Sequence, residues 1–425
     1  MSEHTKTVIV GLDGVPFDLL RDFAESGVMP NTASVIADGT FRKMLSSIPE
    51  VSSVAWSSMI TGKNPGEHGI FGFTDLFPNS YNMRFPNYND LKAQPFWDRW
   101  PGKSVIVNVP STYPVRRMRG AHISGFVSVD MQKSAYPPAL LTELNQMDYR
   151  LDVDSQKAHE SMDLFLTDLD RTLDSRIKCY RYLWDSENWR TFMLVFTGTD
   201  RLMHFLWDAY EDNDHRHHES FLQHFRKIDD VIGEIAGQMN DDDLLIMLSD
   251  HGFECLEKDI YVNYVLRDSG FLQFNSNHKL TLNTIAPGTK AFALDPARIY
   301  LNYKDKYPCG TVTQDQREGI LSELEDLFGM LQLDGRKVIR QIHRKEQTYS
   351  GPFRENAPDL VLIAASGFNL KAKPNAQVLA EKDIFTGKHT QDSAFLIVKG
   401  SADAERIPET PSISQVVPVI EDCHG

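Results

Sequence analysis

Seven short, largely apolar runs recur along the chain with helical patterns between them, and few folds accommodate that alternation. The runs are Thr7–Leu12, Ser104–Val109, His122–Phe126, Thr191–Phe196, Asp243–Leu248, Leu360–Ala364 and Ala394–Val398. A run that is apolar on both alternating faces marks a strand buried on both sides, as in a parallel sheet. Helical spacing follows in Phe17–Phe23 and over residues 157–185, 216–238 and 314–330. The alternation predicts an α/β fold: a mostly parallel central sheet with helices on both faces.

Two stretches break the rhythm. Residues 72–100, rich in Asn, Pro and aromatics, predict a loop excursion. Residues 254–354 hold short strand-like pieces (Phe271–Phe274, Lys279–Leu282, Arg298–Asn302) and one helix. They predict an inserted cap subdomain, with residues 1–253 and 355–425 forming the α/β core. Both ends of such an insertion return to the sheet's carboxyl edge, so the cap is expected over it. Phe292 and Tyr300 are its candidate ring-stacking residues, although either suits a core equally.

At 425 residues and 41% hydrophobic, the chain can build one large domain with an insertion. The net charge of −15 argues against binding a nucleic-acid polymer, which needs a basic footprint. It leaves room for a small anionic substrate, because bound cations can supply local positive charge. The four cysteines, Cys179, Cys255, Cys309 and Cys423, form no C-x-x-C pair and read as reduced thiols. No charged n-region precedes an apolar h-region, and no apolar run reaches membrane-spanning length. A cytoplasmic protein without a membrane partner is the expectation.

Chemistry concentrates in five places. Residues 49–70 run from a polar loop through Ser52-Ser53 into a short helix stopped by Thr61-Gly62. A serine at a helix N-terminus lies where amide groups and the dipole favour a phosphate, although serine is also an ordinary cap there. Asp13 ends the first strand. Asp200 and His204, spaced i,i+4 after the strand Thr191–Phe196, share one helical face. Ser249-Asp250-His251-Gly252 follows another strand, and Gly387-Lys388-His389 precedes the last. Each piece has a bland reading as a cap or a satisfied histidine. Together they lie where an α/β sheet gathers its site, at strand carboxyl ends. Three Asp and three His suffice for two divalent cations, and two cations can clamp an in-line displacement at phosphorus.

Ser52 is the candidate nucleophile, needing activation because a free hydroxyl is weak at neutral pH. No G-x-S-x-G, G-x-x-x-x-G-K-[ST] or strand-following G-x-G-x-x-G is present. The tract 212–219, with its Asp and His residues, reads as the opening of a solvated helix. Lys63, Arg201, Lys290, Arg298 and Lys388 are candidate substrate contacts whose simpler reading is solvated surface charge.

The order of these pieces resembles the alkaline phosphatase superfamily: Asp13-Gly14, a hydroxyl before Thr61-Gly62, then His68-Gly69-Ile70, D-x-x-x-H at Asp200 and His204, S-D-H-G, and a late G-x-H. Within it the chain is most similar to the type I phosphodiesterase/nucleotide pyrophosphatase branch and its predicted phosphohydrolase relatives. The resemblance implies Asp13, Ser52, Asp250 and His251 around one metal and Asp200, His204 and His389 around the other, zinc or manganese. It implies attack by Ser52 on phosphorus, a phosphoseryl enzyme and its release by water. Relatives that cleave nucleotides usually carry threonine where Ser52 stands, and asparagine where Phe73 stands. The sulfatase signature C/S-x-P-x-R is absent. The expected activity is phosphodiester or pyrophosphate cleavage in a small nucleotide-like substrate. A phosphomonoesterase, phosphonate hydrolase or phosphoglycerate-mutase-like phosphotransferase is the alternative, and a non-catalytic binding protein the distant one.

Overall fold

The computed structural model describes residues 5–275, 280–400 and 406–423, in two compact units. The first unit comprises Met1–Lys63, Asn87–Glu254 and Ile384–Gly425. The second comprises Asn64–Pro86 and Cys255–Asp383, so it takes in residues on both sides of the 254–354 stretch.

The first unit is built on an eight-stranded sheet. Its strands are β1 (Thr7–Leu12), β2 (Thr40–Met44), β3 (Ser104–Val109), β4 (Gly120–Ser124), β5 (Ala135–Tyr136), β6 (Thr191–Phe196), β7 (Leu244–Leu248) and β8 (Ala394–Lys399). They lie in the order β2-β8-β7-β1-β6-β3-β4-β5. Neighbours from β7 through β4 are parallel, while β8 and β5 run antiparallel to the strands beside them. Every residue of β1, β3, β6 and β7 is buried, as their unbroken apolar runs require.

Register positions the site. Leu12 of β1 pairs with Phe196 of β6, and Gly11 pairs with Leu248 of β7. The residues that follow these three adjacent strands therefore emerge side by side at one edge: Asp13, then Thr197-Gly198, then Ser249-Asp250-His251. The Asp13 amide donates to the Phe196 carbonyl (3.1 Å) and the Gly14 amide to Asp250 Oδ1 (3.0 Å). The loop ends are thus stitched together beyond the sheet.

The second unit has its own antiparallel four-stranded sheet, Ala291–Leu294, Arg298–Leu301, Leu360–Ala364 and Ile339–Arg344, with helix Arg317–Gly329. Phe292, Leu321, Leu324 and Phe328 are buried in its core. Leu360–Ala364 thus belongs here and not to the large sheet. A five-residue apolar strand buried on both faces has the same signature in either place. Phe271–Phe274 forms only an isolated bridge from Phe274 to Ile285. Lys279 lies outside the described residues, and Leu282–Thr284 is a 3-10 turn, because Thr281 and Thr284 cap it reciprocally. Phe292 and Tyr300 are fully packed, as core residues. Arg298 is buried too, donating to the Thr74 carbonyl (2.8 Å) and the Tyr300 hydroxyl (3.2 Å). It holds this unit together and is not a solvated charge.

Among the described residues no helix is long and apolar enough to cross a membrane, and all four cysteines are free thiols.

Candidate active site

Ser52 begins the helix Ser52–Thr61, which ends on Gly62 at φ 67°, a left-handed conformation suited to glycine. The whole helix is buried, so Ser52 is held at the edge of the sheet by packing on every side. Its Oγ lies 3.3 Å from Asp13 Oδ1 and 3.2 Å from His251 Nε2. The neighbouring Ser53 hydroxyl is buried without a hydrogen-bond partner.

The remaining candidates converge on the same point. Ligand atoms of Asp13, Asp250 and His251 lie within 4.8 Å of one another, as do those of Asp200, His251 and His389. His204 joins the second group, its Nε2 3.0 Å from His389 Nε2 and 3.5 Å from Asp200 Oδ1. His389 Nε2 is 3.0 Å from Asp200 Oδ1. All seven residues chosen from the sequence are therefore brought together.

The three histidines share one device. His204 Nδ1 faces the Gly387 carbonyl (3.2 Å), His251 Nδ1 the Gly252 carbonyl (3.1 Å) and His389 Nδ1 the Glu50 carbonyl (3.0 Å). A carbonyl only accepts, so each Nδ1 is assigned the proton and each neutral ring turns a bare Nε2 inward. Two bare nitrogens 3.0 Å apart repel unless a proton or a cation lies between them. The Asp250 Oδ2 atom is buried with no hydrogen-bond partner, although a buried carboxylate oxygen demands one. These donors, nitrogen and oxygen with open lone pairs, fit divalent cations such as zinc or manganese.

Electrostatics agree. Burial, together with the charges of Asp250 and Asp200, holds the Asp13 carboxyl well above its ordinary range. Burial chiefly, with Asp200 beside it, pushes Asp250 up to about 6. Burial drives His204 down to about 4 and His251 well below its usual value, keeping both neutral. Asp200 stays ionised against its burial because His204, His389 and Arg201 offset its charge. His389, also against burial, is raised by its bond to Asp200. Three buried carboxylates exceed what Arg201 alone neutralises, a charge deficit that bound cations would offset.

Two contributors escape a motif search. Trp56 reads as an apolar spacer, yet its Nε1–H donates to Asp13 Oδ2 at 3.1 Å. The signal available was its i,i+4 spacing from Ser52. Gly11 makes room for its ring, since a Cβ there would stand 2.5 Å from Trp56 Cη2. Trp56→Phe keeps the packing and removes that donor. It should weaken metal affinity about tenfold, as loss of a ligand's supporting hydrogen bond does, with kcat restored at saturating metal. Competition against a calibrated chelator measures it; unchanged affinity would show the indole to be packing alone.

Arg201 is the second, and the expectation of a solvated charge is corrected. It is largely buried, its side chain 18% exposed, donates to Asp152 (2.8 Å) and Asp200 Oδ2 (3.3 Å), and lies over the Phe126 ring. Sequence spacing conceals this because Asp152 precedes the intervening helix Met162–Ser186. Lys388 is likewise buried and paired with Glu254 at 2.8 Å. Lys63 is exposed, and Lys290 pairs with Glu323 at 3.5 Å. In the 212–219 tract the helix His218–Gln238 opens at His218, whose Nδ1 meets the Ala209 carbonyl. His68 of the H-G-I motif is buried and held neutral, near pKa 3, while its Nδ1 accepts from the Ile70 amide.

The fold recurs in solved structures. Phosphonoacetate hydrolase from Sinorhizobium meliloti 1021, in complex with phosphonoformate, superposes with a TM-score of 0.64 at 15% identity, covering 99% of this chain and 96% of that one. Murine ectonucleotide pyrophosphatase/phosphodiesterase 5 gives 0.56 at 13% identity, covering 99% and 94%. An inactive form of the murine protein, in complex with AMP, gives 0.56 at 12% identity, covering 99% and 95%. No curated protein matches the chain. Residues 7–392 match the family described as type I phosphodiesterase / nucleotide pyrophosphatase. The chain belongs to that family and is a phosphoryl hydrolase of the alkaline phosphatase superfamily.

Proposed function

We propose that this protein is a two-metal phosphohydrolase that cleaves a phosphodiester or pyrophosphate bond in a small nucleotide-like substrate, through a phosphoseryl intermediate on Ser52. Asp13, Ser52, Asp250 and His251 would hold one divalent cation, and Asp200, His204 and His389 the other, zinc or manganese. The observation that carries the reading is the convergence of three bare Nε2 atoms and three buried carboxylates around one serine hydroxyl.

Bound cations supply Lewis acidity, lowering the pKa of a hydroxyl or water and offsetting charge on phosphoryl oxygens. The chain's own groups do the rest. The helix N-terminus at Ser52 favours the anionic phosphoryl group, and its buried frame fixes the direction of Oγ. Oγ loses its proton and bonds to phosphorus as the bond to the leaving oxygen breaks; the leaving group departs protonated. Water then attacks the same phosphorus from the opposite side, and the Oγ–P bond breaks to restore the hydroxyl. Asp13, fixed by Trp56 and facing Oγ, orients the nucleophile for both displacements. Arg201 keeps Asp200 ionised and placed.

The complex of the murine protein with AMP supports a nucleotide-like substrate. Phe73, at a position where nucleotide-cleaving relatives usually have asparagine, favours the second reading, a monoesterase or phosphonate hydrolase. The four free thiols suit a cytoplasmic, reducing location. A panel of nucleotide diesters, sugar nucleotides, monoesters and phosphonates, assayed with added zinc or manganese, tests the choice. Diester or pyrophosphate kcat/KM should exceed the others by about tenfold or more. A monoester or phosphonate in first place selects the second reading, and turnover of none of them refutes both.

A further inference from the structure

Within the first unit, beside the end of β6, lies a small cavity of about 10 Å³ that contains none of the seven converging residues. Thr197 and Gly198 line it, the cap and first residue of helix Gly198–Glu211, whose first two turns carry Asp200 and His204. Helix Met162–Ser186 contributes Arg176, and helix His218–Gln238 contributes His224. Among the described residues no acid lines it.

Two buried polar atoms of this lining have no hydrogen-bond partner, Arg176 Nη1 and His224 Nε2. Their residues are only 2% and 6% exposed. The histidine nitrogen is turned toward the helix end, since a Cβ on Gly198 would stand 3.1 Å from it. Arg176 donates through Nη2 to the carbonyls of Arg150 (3.1 Å) and Leu151 (3.3 Å), and its guanidinium lies 5.4 Å from the centre of the Tyr149 ring. Among the described residues it forms no ion pair, although a buried charge is costly without one.

The other groups present are donors as well. Burial, with Lys227 nearby, lowers His224 to about 3, so the ring is neutral and has one N–H to give. Thr197 Oγ1 accepts from Asn108 Nδ2 at 3.1 Å, which leaves its hydroxyl hydrogen to donate. A helix N-terminus favours negative charge. Asp200, in the same first turn, is engaged elsewhere, by Arg201 (3.3 Å) and His389 (3.0 Å). The bland reading is one ordered water, which the volume would hold. Water partners the two bare atoms but leaves the arginine's charge unmatched.

We propose that this cavity holds one monatomic anion, a halide, between Arg176 Nη1, His224 Nε2 and the N-terminal end of helix Gly198–Glu211. The volume admits a single ion little larger than water and excludes phosphate and sulfate. The anion balances Arg176 and ties three helices together at the root of the segment that presents Asp200 and His204.

Bromide is the diffraction probe and chloride the solution probe. Crystals of the full-length protein soaked in sodium bromide should give an anomalous peak within hydrogen-bond reach of Arg176 Nη1 and His224 Nε2. Replacing sodium gluconate by sodium chloride at equal ionic strength should raise the melting temperature by about 2 °C or more, with saturation, both with and without chelator. A halide bound to an active-site cation would lose its effect on chelation. Arg176→Gln keeps an N–H donor and removes the charge, so it should abolish both the chloride shift and the bromide peak, whereas a water site would tolerate it. Density without an anomalous peak, equal melting in chloride and gluconate under chelation, or an undiminished chloride shift in Arg176→Gln overturns the proposal. The peak and the wild-type melts need no variant, so they decide the matter if Arg176→Gln does not fold.

Discussion

Ser52→Ala should leave a folded, metal-binding protein whose turnover is reduced about 10⁴-fold or more, the scale on which enzymes that lose a covalent nucleophile fall. The expectation follows from position. Ser52 Oγ is the hydroxyl in contact with both Asp13 and His251, while the adjacent Ser53 hydroxyl is buried without a partner. Ser53→Ala should therefore change kcat by no more than a few-fold, since a buried hydroxyl with no bond offers nothing to lose. The burst of a chromogenic ester, trapped as a phosphorylated chain, distinguishes the two serines. An active Ser52→Ala beside a dead Ser53→Ala would move the nucleophile by one residue and discard the helix-end argument.

The second large effect is on stability and runs opposite to intuition. Asp250→Asn should abolish tight metal binding, yet make the metal-free protein more stable at neutral pH. Burial lifts the Asp250 carboxyl from its ordinary 3.8 to about 6. A raised acid contributes its stability below the unfolded value, near pH 4, and loses it as pH rises through about 6. At pH 7–8 the metal-free fold therefore holds a buried, uncompensated charge that costs on the order of 2–3 kcal/mol. Asparagine keeps an oxygen for the Gly14 amide and removes that charge. Asp13, raised in the same direction, steepens the loss, whereas Asp200, depressed far below this range, adds nothing within it. Thermal melts at pH 4.5 and 8, with and without zinc, should show the variant above wild type only at the higher pH and only without metal. Equal melting of the two metal-free proteins at pH 8 would show that Asp250 carries no such strain.

How much of this was visible in the sequence depends on how local each cause is. Asp13 and Asp250 announce themselves because an apolar run leading into an acid is a local pattern, Asp200 because it shares a helical face with His204, and parallel register then aligns the strand ends without further information. Ser52 follows from a local helix start. The His204 spacing is local too. Arg201 looked solvated because its neighbours in sequence are polar, and what buries it, Asp152 and the Phe126 ring, arrives from distant segments. Trp56 looked like packing because hydropathy records its ring and not its N–H. Leu360–Ala364 looked like a strand of the large sheet because burial on two faces is the same signal in an antiparallel sheet. Phe271–Phe274 forms no strand where Thr289 bonds both the amide and the carbonyl of Gln273, and the described end of Lys279–Leu282 runs into a turn capped by Thr281 and Thr284.

The strand order has a consequence for the birth of the molecule. β8, residues 394–399, lies between β2 and β7, and His389 just before it is oriented by a carbonyl 339 residues earlier in the chain. On the ribosome, β1, β6 and β7 can pair long before β8 exists, and loop closures of such length make the final insertion slow. Until then β7 presents an open, wholly apolar edge, the kind that recruits other chains. A nascent chain can offer Asp13, Ser52, Asp250 and His251 together, but not the set completed by His389. Of the seven converging residues, His389 is thus the last to be made and the last to reach the site, after the strands that carry Asp13 and Asp250 can already pair.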